Sequence, residues 1–214
     1  MKNEAGMGAK LVRDAAILLV ITLFSGLILG FVFQITKEPI ALAEEKAAKK
    51  AYSEVFPSAL EFELTEELPL ESLSGDSAWL EAGYEGVSVE NVLRALDKDG
   101  TLLGYVLTVT SHEGYGGDIT FTVGIANDGT LNGISILNIS ETAGLGMKAE
   151  EVLVPQFSNK KVSVFTYTKS GAVSDDQIDA ISGATITTKA VTKAVNGGLF
   201  FFQTQLGGGG DETK

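Results

Sequence analysis

The sequence predicts an α+β protein, in which a single N-terminal transmembrane helix precedes a twisted antiparallel sheet packed by helices. Three observations predict this class. The run from Ala15 to Thr36 contains no charged residue, and apolar residues alternate in several stretches between residues 92 and 140. From Thr187 onward, apolar residues recur every three or four positions, which is typical of one face of a helix.

Composition excludes several classes of protein. The 214 residues have a net charge of −12, so an electrostatic partnership with nucleic acid is not expected. The absence of cysteine excludes disulfides, iron–sulfur clusters and thiolate metal sites within this chain. The single histidine, His112, lies in a polar segment and is interpreted as a solvated turn residue. We therefore predict no metal site and no catalytic residue.

The apolar run is long enough to cross a membrane. At 1.5 Å per residue, Ala15 to Thr36 spans about 33 Å, against a hydrocarbon core of about 30 Å. A cleaved signal peptide is the alternative, because Ala41-Leu42-Ala43 resembles a cleavage site. The run is too long for a signal peptide, and the polar residues Lys37 and Glu38 separate it from that site. An uncleaved anchor is preferred, and the Gly26/Gly30 pair would allow another membrane helix to approach closely.

The remaining chain divides by composition. Pro39 suits a first helical turn and is followed by a segment rich in Ala, Glu and Lys, which predicts a stalk helix. Residues from Ser58 to Gly86 are acidic and irregular, with Trp79 and Tyr84 expected to attach them to the core. The predicted organisation is a tail at 1–14, a transmembrane helix at 15–36, a stalk helix at 37–57, a soluble domain at 58–206 and a flexible tail at 207–214.

Within the soluble domain, alternation predicts an antiparallel meander. Asp99-Gly100 and Asp128-Gly129 fall between the alternating stretches and are hairpin-turn signals. A further strand is predicted near Val162 to Tyr167, and the last helix is expected to end near Gln205.

One nonapeptide, Asp179-Ala180-Ile181-Ser182-Gly183-Ala184-Thr185-Ile186-Thr187, places hydroxyls and a glycine just before the last helix. The start of a helix has free backbone N–H groups and a positive dipole end, which suit a phosphate group. The alternative is that Thr185 or Thr187 is simply the N-cap of that helix.

The pattern Asp-x-x-Ser-Gly-Ala-Thr-x-Thr resembles the flavinylation sequence of the FMN-binding domain family. Members occur in the G subunit of Rnf electron-transport complexes and the C subunit of sodium-pumping NADH:quinone reductases. The resemblance implies that Thr187 holds FMN through a phosphoester bond, which a flavin transferase of the ApbE type installs from FAD. It also implies that Asp179 is recognised by the transferase, while the phosphate end of the site is shaped by Ser182, Gly183, Ala184 and Thr185.

Two loops extend the resemblance over most of the soluble domain. Gly114-Tyr115-Gly116-Gly117 is similar to a family segment near the flavin, so Tyr115 is a candidate cofactor contact. The segment beginning at Glu141 resembles the family's Glu-Thr-Pro-Gly-Leu-Gly loop beside the isoalloxazine, with Ala143 in place of proline. This similarity implies that the flavin ring contacts Glu141, Thr142, Leu145 and Gly146.

The family resemblance implies a membrane subunit that relays electrons within an Rnf-type ferredoxin:NAD⁺ oxidoreductase coupled to Na⁺ or H⁺ movement. Other membrane subunits would be its partners, its N-terminus would be cytoplasmic, and its flavin domain would lie on the outer face. No separate activity is expected for the isolated chain, because it lacks a nicotinamide-binding fingerprint. The alternatives are the quinone reductase C subunit, a stand-alone membrane-tethered flavin reductase, and a non-redox domain on a membrane anchor.

Overall fold

A computed structural model describes residues 4–65 and 77–207. Its helices are α1 (Glu4–Val55), α2 (Ser77–Glu81), α3 (Ala149–Val152) and α4 (Thr185–Gln205), with short 3-10 turns at Gly146–Lys148 and Val154–Phe157. Its strands are β1 (Glu61–Leu64), β2 (Val87–Leu96), β3 (Leu102–Ser111), β4 (Ile119–Ala126), β5 (Leu131–Ile139), β6 (Thr166–Thr168) and β7 (Gln177–Asp179). Apart from Gly207, the predicted flexible tail lies outside the described residues.

The main sheet has five antiparallel strands in the order β1-β2-β3-β4-β5. The α+β class and the antiparallel meander predicted from alternation are therefore confirmed. β1 lies within the segment predicted to be irregular, and it pairs with the C-terminal half of β2. Its few residues show no clear alternation, which is why sequence periodicity missed it.

The two predicted hairpin turns are present, and aspartates stabilise both. Gly100 and Gly129 have positive φ of 77° and 83°, which glycine adopts without steric cost. Hydrogen bonds from the amides of Thr101 and Asp99 hold the pKa of the Asp97 carboxyl below its ordinary value. In the second turn the amide and hydroxyl of Thr130, together with Lys161, lower the pKa of Asp128.

Helix α4 covers one face of the sheet and forms the main core. Phe121 and Val123 on β4 are fully buried against Leu199 and other apolar residues of α4. Each such side chain contributes roughly 1.5–3 kcal/mol on burial. As predicted, Trp79 is buried, and it packs on Tyr84 at a ring separation of 5.2 Å. Burial of the Tyr84 side chain raises the pKa of its hydroxyl.

The end of α1 packs on the opposite face of the sheet. Val55 and Phe56 belong to a smaller apolar cluster with residues of β2 and β3. Gly104 and Gly124 make room for them, because a Cβ at these positions would lie 2.7 Å from the Phe56 ring and from Val55 Cβ. This packing leaves the other face to α4, which begins at the site described below.

Helix α1 runs from Glu4 to Val55 without a break, so the predicted boundaries at residues 14/15 and 36/37 do not interrupt it. Pro39 lies inside the helix. Proline removes one backbone hydrogen bond, but the good helix formers around it maintain helical geometry on both sides. By compactness the chain divides into residues 1–47 and 48–214. In the first unit the apolar side chains of the run are exposed, and the helix is long and apolar enough to cross a membrane.

The strand predicted near Val162 to Tyr167 is wrong in extent. Only Thr166–Thr168 forms a strand, β6, and it pairs in parallel with β7. Val164 is exposed, so its apolar character does not indicate a buried strand face. The β6–β7 pair matters for function because β7 leads directly into the nonapeptide that precedes α4.

Candidate functional site

A cleft of about 480 Å³ lies where three segments meet. The segments are the glycine-rich loop before β4, the loop after β5, and the start of α4. We call it the Thr187 cleft, and its lining residues are Tyr115, Glu141, Thr142, Leu145, Gly146, Gly183, Ala184, Thr185, Ile186 and Thr187. Its volume falls in the range of roughly 300–1,000 Å³ typical of cofactor sites.

The start of α4 presents free amides to this cleft. The N-cap is Ala184, which makes no side-chain capping bond, so neither Thr185 nor Thr187 is the cap. Thr188 Oγ1 instead accepts a hydrogen bond from the Ile181 amide at 3.1 Å and donates to the Ala184 carbonyl at 3.0 Å. Within the described part of the chain, the amides of residues 185–187 have no acceptor. Such amides at the positive end of a helix dipole suit an anionic group.

Thr187 places its hydroxyl at the inner wall of the cleft. The residue is only 1% exposed, yet it lines the cleft. Its Oγ1 lies 2.7 Å from the position that a Cβ on Gly146 would occupy. The glycine therefore leaves space beside the hydroxyl that any other residue would fill, and this space fits a bulky group attached at Thr187.

Glu141 joins the two loops that form the opposite wall. Its Oε1 accepts a hydrogen bond from the Tyr115 amide at 2.8 Å. Its Oε2 lies 2.8 Å from the Cβ position of Gly146. Gly116 packs so closely on the Ser140 carbonyl that a Cβ at this position would clash with the carbonyl oxygen. The loop conformation thus depends on both the carboxylate and the glycines.

The mouth of the cleft is apolar. Tyr115 is 70% exposed, Ile186 52% and Leu145 41%, and all three line the cleft. Exposed large apolar side chains grouped around a cavity indicate a ligand or partner site. Free amides at one end and an apolar mouth at the other match a molecule with a phosphate and a planar ring.

The structure brings together every residue predicted as a cofactor contact except Ser182, which does not line the cleft. It adds Ile186, which sequence reasoning missed because the residue occupies a variable position of the motif. Its place one residue before Thr187 in the first turn of a helix was the available signal.

Asp179 lies on β7 and makes contacts within the chain. Its carboxylate accepts a hydrogen bond from the Ala172 amide at 2.5 Å. Its backbone N–H donates to Gln156 Oε1 at 2.7 Å, and its carbonyl accepts from Gln156 Nε2 at 3.2 Å. Asp179 therefore braces the loop between β6 and β7, in addition to the recognition role that the motif predicts.

His112 is more constrained than a solvated turn residue. Its Nε2 lies 3.1 Å from Ser88 Oγ, and its Nδ1 lies 3.1 Å from Asp118 Oδ1. The order of groups resembles a hydrolase triad, but none of the three side chains lines the Thr187 cleft. These contacts connect β2 to the two ends of the glycine-rich loop.

Residues 114–199, which contain all three segments of the Thr187 cleft, match the FMN-binding domain family. The G subunit of the Na(+)-translocating ferredoxin:NAD(+) oxidoreductase complex of Acetobacterium woodii is 32% identical over 87% of this chain and 89% of its own. The G subunit of the ion-translocating oxidoreductase complex of Methanosarcina acetivorans is 28% identical over 89% of this chain and 93% of its own. Among solved structures, Shewanella oneidensis NqrC has a TM-score of 0.45 and 23% identity, over 53% of this chain and 58% of that one.

The fold and the cleft are thus those of a protein with an FMN-binding domain. The chain belongs to the family of G subunits of ion-translocating oxidoreductase (Rnf) complexes.

Proposed function

We propose that this chain is a membrane-anchored subunit that holds FMN covalently and relays electrons within an ion-translocating ferredoxin:NAD⁺ oxidoreductase. The observation that carries the proposal is the position of the Thr187 hydroxyl, beside Gly146 and next to the free amides of α4. The names of the relatives supply the kind of complex. The coupling ion is Na⁺ or H⁺.

Attachment would proceed by phosphoryl transfer. The Thr187 oxygen would form a bond to the FMN phosphorus of FAD, the bond from that phosphorus to the AMP portion would break, and the hydroxyl proton would leave. The amides of residues 185–187 would then hold the phosphate charge. A flavin transferase of the ApbE type would catalyse this reaction, and Asp179 would belong to the segment that the enzyme recognises.

Each wall of the cleft has a separate task in this proposal. The apolar mouth would bind the isoalloxazine and exclude water from one side of it. The Glu141 carboxylate would oppose added negative charge on the ring and so keep its reduction potential low. FMN supplies exchange of one or two electrons, while the protein sets potential and access.

The chain needs partners at both ends of the electron path. It contains no cysteine for a cluster of its own, and it has no nicotinamide-binding fingerprint. Electrons would therefore arrive from one subunit of the complex and leave to another. The free-standing chain would have no turnover of its own.

Loss of Thr187 tests this function directly. Membranes from cells lacking the chain should not transfer electrons from reduced ferredoxin to NAD⁺, and adding back the wild-type gene should restore the activity. A Thr187→Ala gene should produce protein in normal amount without restoring activity, because the relay lacks its flavin. Normal rates with Thr187→Ala, or in the absence of the chain, would show that the chain is not in the electron path.

The proposed orientation places the N-terminus in the cytoplasm and the FMN-binding domain on the outer face. Because the chain contains no cysteine, single cysteines introduced at Asn3 and at Ser58 can be compared cleanly. A membrane-impermeant thiol reagent applied to intact cells should label Ser58→Cys but not Asn3→Cys. Permeabilised cells should label both, and the reverse pattern in intact cells would place the flavin domain in the cytoplasm.

A further inference from the structure

We propose that the ion pair between Lys193 and Glu113 positions the glycine-rich loop (residues 114–117) over the Thr187 cleft and thereby limits solvent access to the flavin. The inference rests on the proposed FMN site, but it concerns residues outside the flavinylation sequence. Lys193 and Glu113 act through the loop, so both are positioning residues.

Lys193 is unusually buried for a lysine. Its side chain is 17% exposed, and its Nζ lies 2.6 Å from Glu113 Oε1 and 3.8 Å from Glu85 Oε2. Lysine is seldom buried unless it is paired. Removal of one partner of such a pair leaves a charge that has lost most of its water. The pair is therefore expected to fix the position of Glu113.

Glu113 is the residue directly before the glycine-rich loop. A Cβ on Gly86 would lie 2.5 Å from Glu113 Oε1, so the glycine provides the space that the carboxylate occupies. Two residues further on, the Tyr115 amide donates to Glu141. The loop is thus fixed on one side to α4 through Lys193 and on the other to the loop after β5.

Helix α4 connects this pair to the attachment site. Thr187 and Lys193 lie six positions apart on the helix, which corresponds to about 9 Å along its axis. One rigid element therefore holds both the hydroxyl that receives the phosphate and the cation that fixes the loop. This arrangement maintains the spacing between the phosphate end of the cofactor and the Tyr115 side of the cleft.

The test compares Lys193→Met and Glu113→Gln with Lys189→Met. Lys189 is exposed one turn earlier on α4 and forms no ion pair with a described residue, so it controls for loss of a helix lysine. Hydrogen exchange of the Tyr115 amide is measured first, in protein prepared without flavin. Iodide quenching of flavin fluorescence is then measured in flavin-loaded protein.

We expect Lys193→Met and Glu113→Gln to accelerate exchange at Tyr115 several-fold and to increase iodide quenching several-fold. Lys189→Met should leave both unchanged, and Lys193→Arg should restore both because it retains the charge. The double variant should show less than the sum of the two single effects, since both changes break one interaction. Unchanged exchange and quenching in well-folded single variants would overturn the proposal. The exchange measurement needs no flavin, so it remains decisive even if the FMN proposal fails.

Discussion

Replacing Thr187 with alanine is expected to eliminate covalent flavin completely. The hydroxyl oxygen forms the phosphoester bond, and no other group can substitute without moving the phosphate away from the amides of α4. The measurement is in-gel flavin fluorescence of denatured protein, made in cells that also produce a flavin transferase. The wild-type band should fluoresce, and the Thr187→Ala band should be dark at equal protein load.

Two matched variants show which hydroxyl is used. Thr185→Ala removes the other motif threonine that lines the cleft, and it should remain fluorescent. Thr187→Ser keeps a hydroxyl at the same backbone position and should retain at least part of the signal. A dark Thr185→Ala band together with a fluorescent Thr187→Ala band would assign the bond to Thr185.

Replacing Gly146 with alanine should have the next largest effect, although Gly146 lies outside the flavinylation sequence. The new Cβ would lie 2.7 Å from Thr187 Oγ1, 2.7 Å from Glu141 Cβ and 2.8 Å from Glu141 Oε2. Overpacking of this kind costs about 1–3 kcal/mol, and it falls on the attacking oxygen. If that strain appears in the transition state, flavin attachment should slow by about tenfold or more.

The control for Gly146→Ala is Gly144→Ala in the same loop. Gly144 has φ of 77°, and a Cβ there would meet nothing within 4 Å. The control variant therefore introduces backbone strain of about 1–2 kcal/mol without obstructing Thr187. Time courses of in-gel fluorescence with purified transferase and FAD measure both rates. Equal rates for the two variants would mean that the space beside Thr187 is not needed for attachment.

Local sequence patterns predicted most of the fold. Alternation identified the meander because each strand of a half-covered sheet presents every second residue to one core. Asp-Gly pairs identified the hairpin turns because glycine alone adopts their positive φ without cost. Strand β1 and the parallel β6–β7 pair were missed because they are short and depend on partners distant in sequence. The continuity of α1 through Pro39 was missed because proline usually marks a helix start or end.

The candidate site divides in the same way. The hydroxyl cluster before α4 and the two glycine-containing loops were identifiable along the chain, because motifs preserve residue type and spacing. Their convergence on one cleft was implied only by family resemblance. Ser182 shows the limit of the motif, since it belongs to the pattern but does not line the cleft.

Residue chemistry alone determined that this protein has an apolar membrane-length helix, no metal–thiolate chemistry, and a threonine at the start of a helix where an anion can bind. Only tertiary structure decided that Gly146 leaves space beside Thr187, that Glu141 binds the Tyr115 amide, and that Lys193 holds Glu113. The two hydrogen bonds join residues 26 and 80 positions apart. Local patterns reflect the backbone preferences of neighbouring residues, whereas such contacts exist only once the sheet and α4 have packed together.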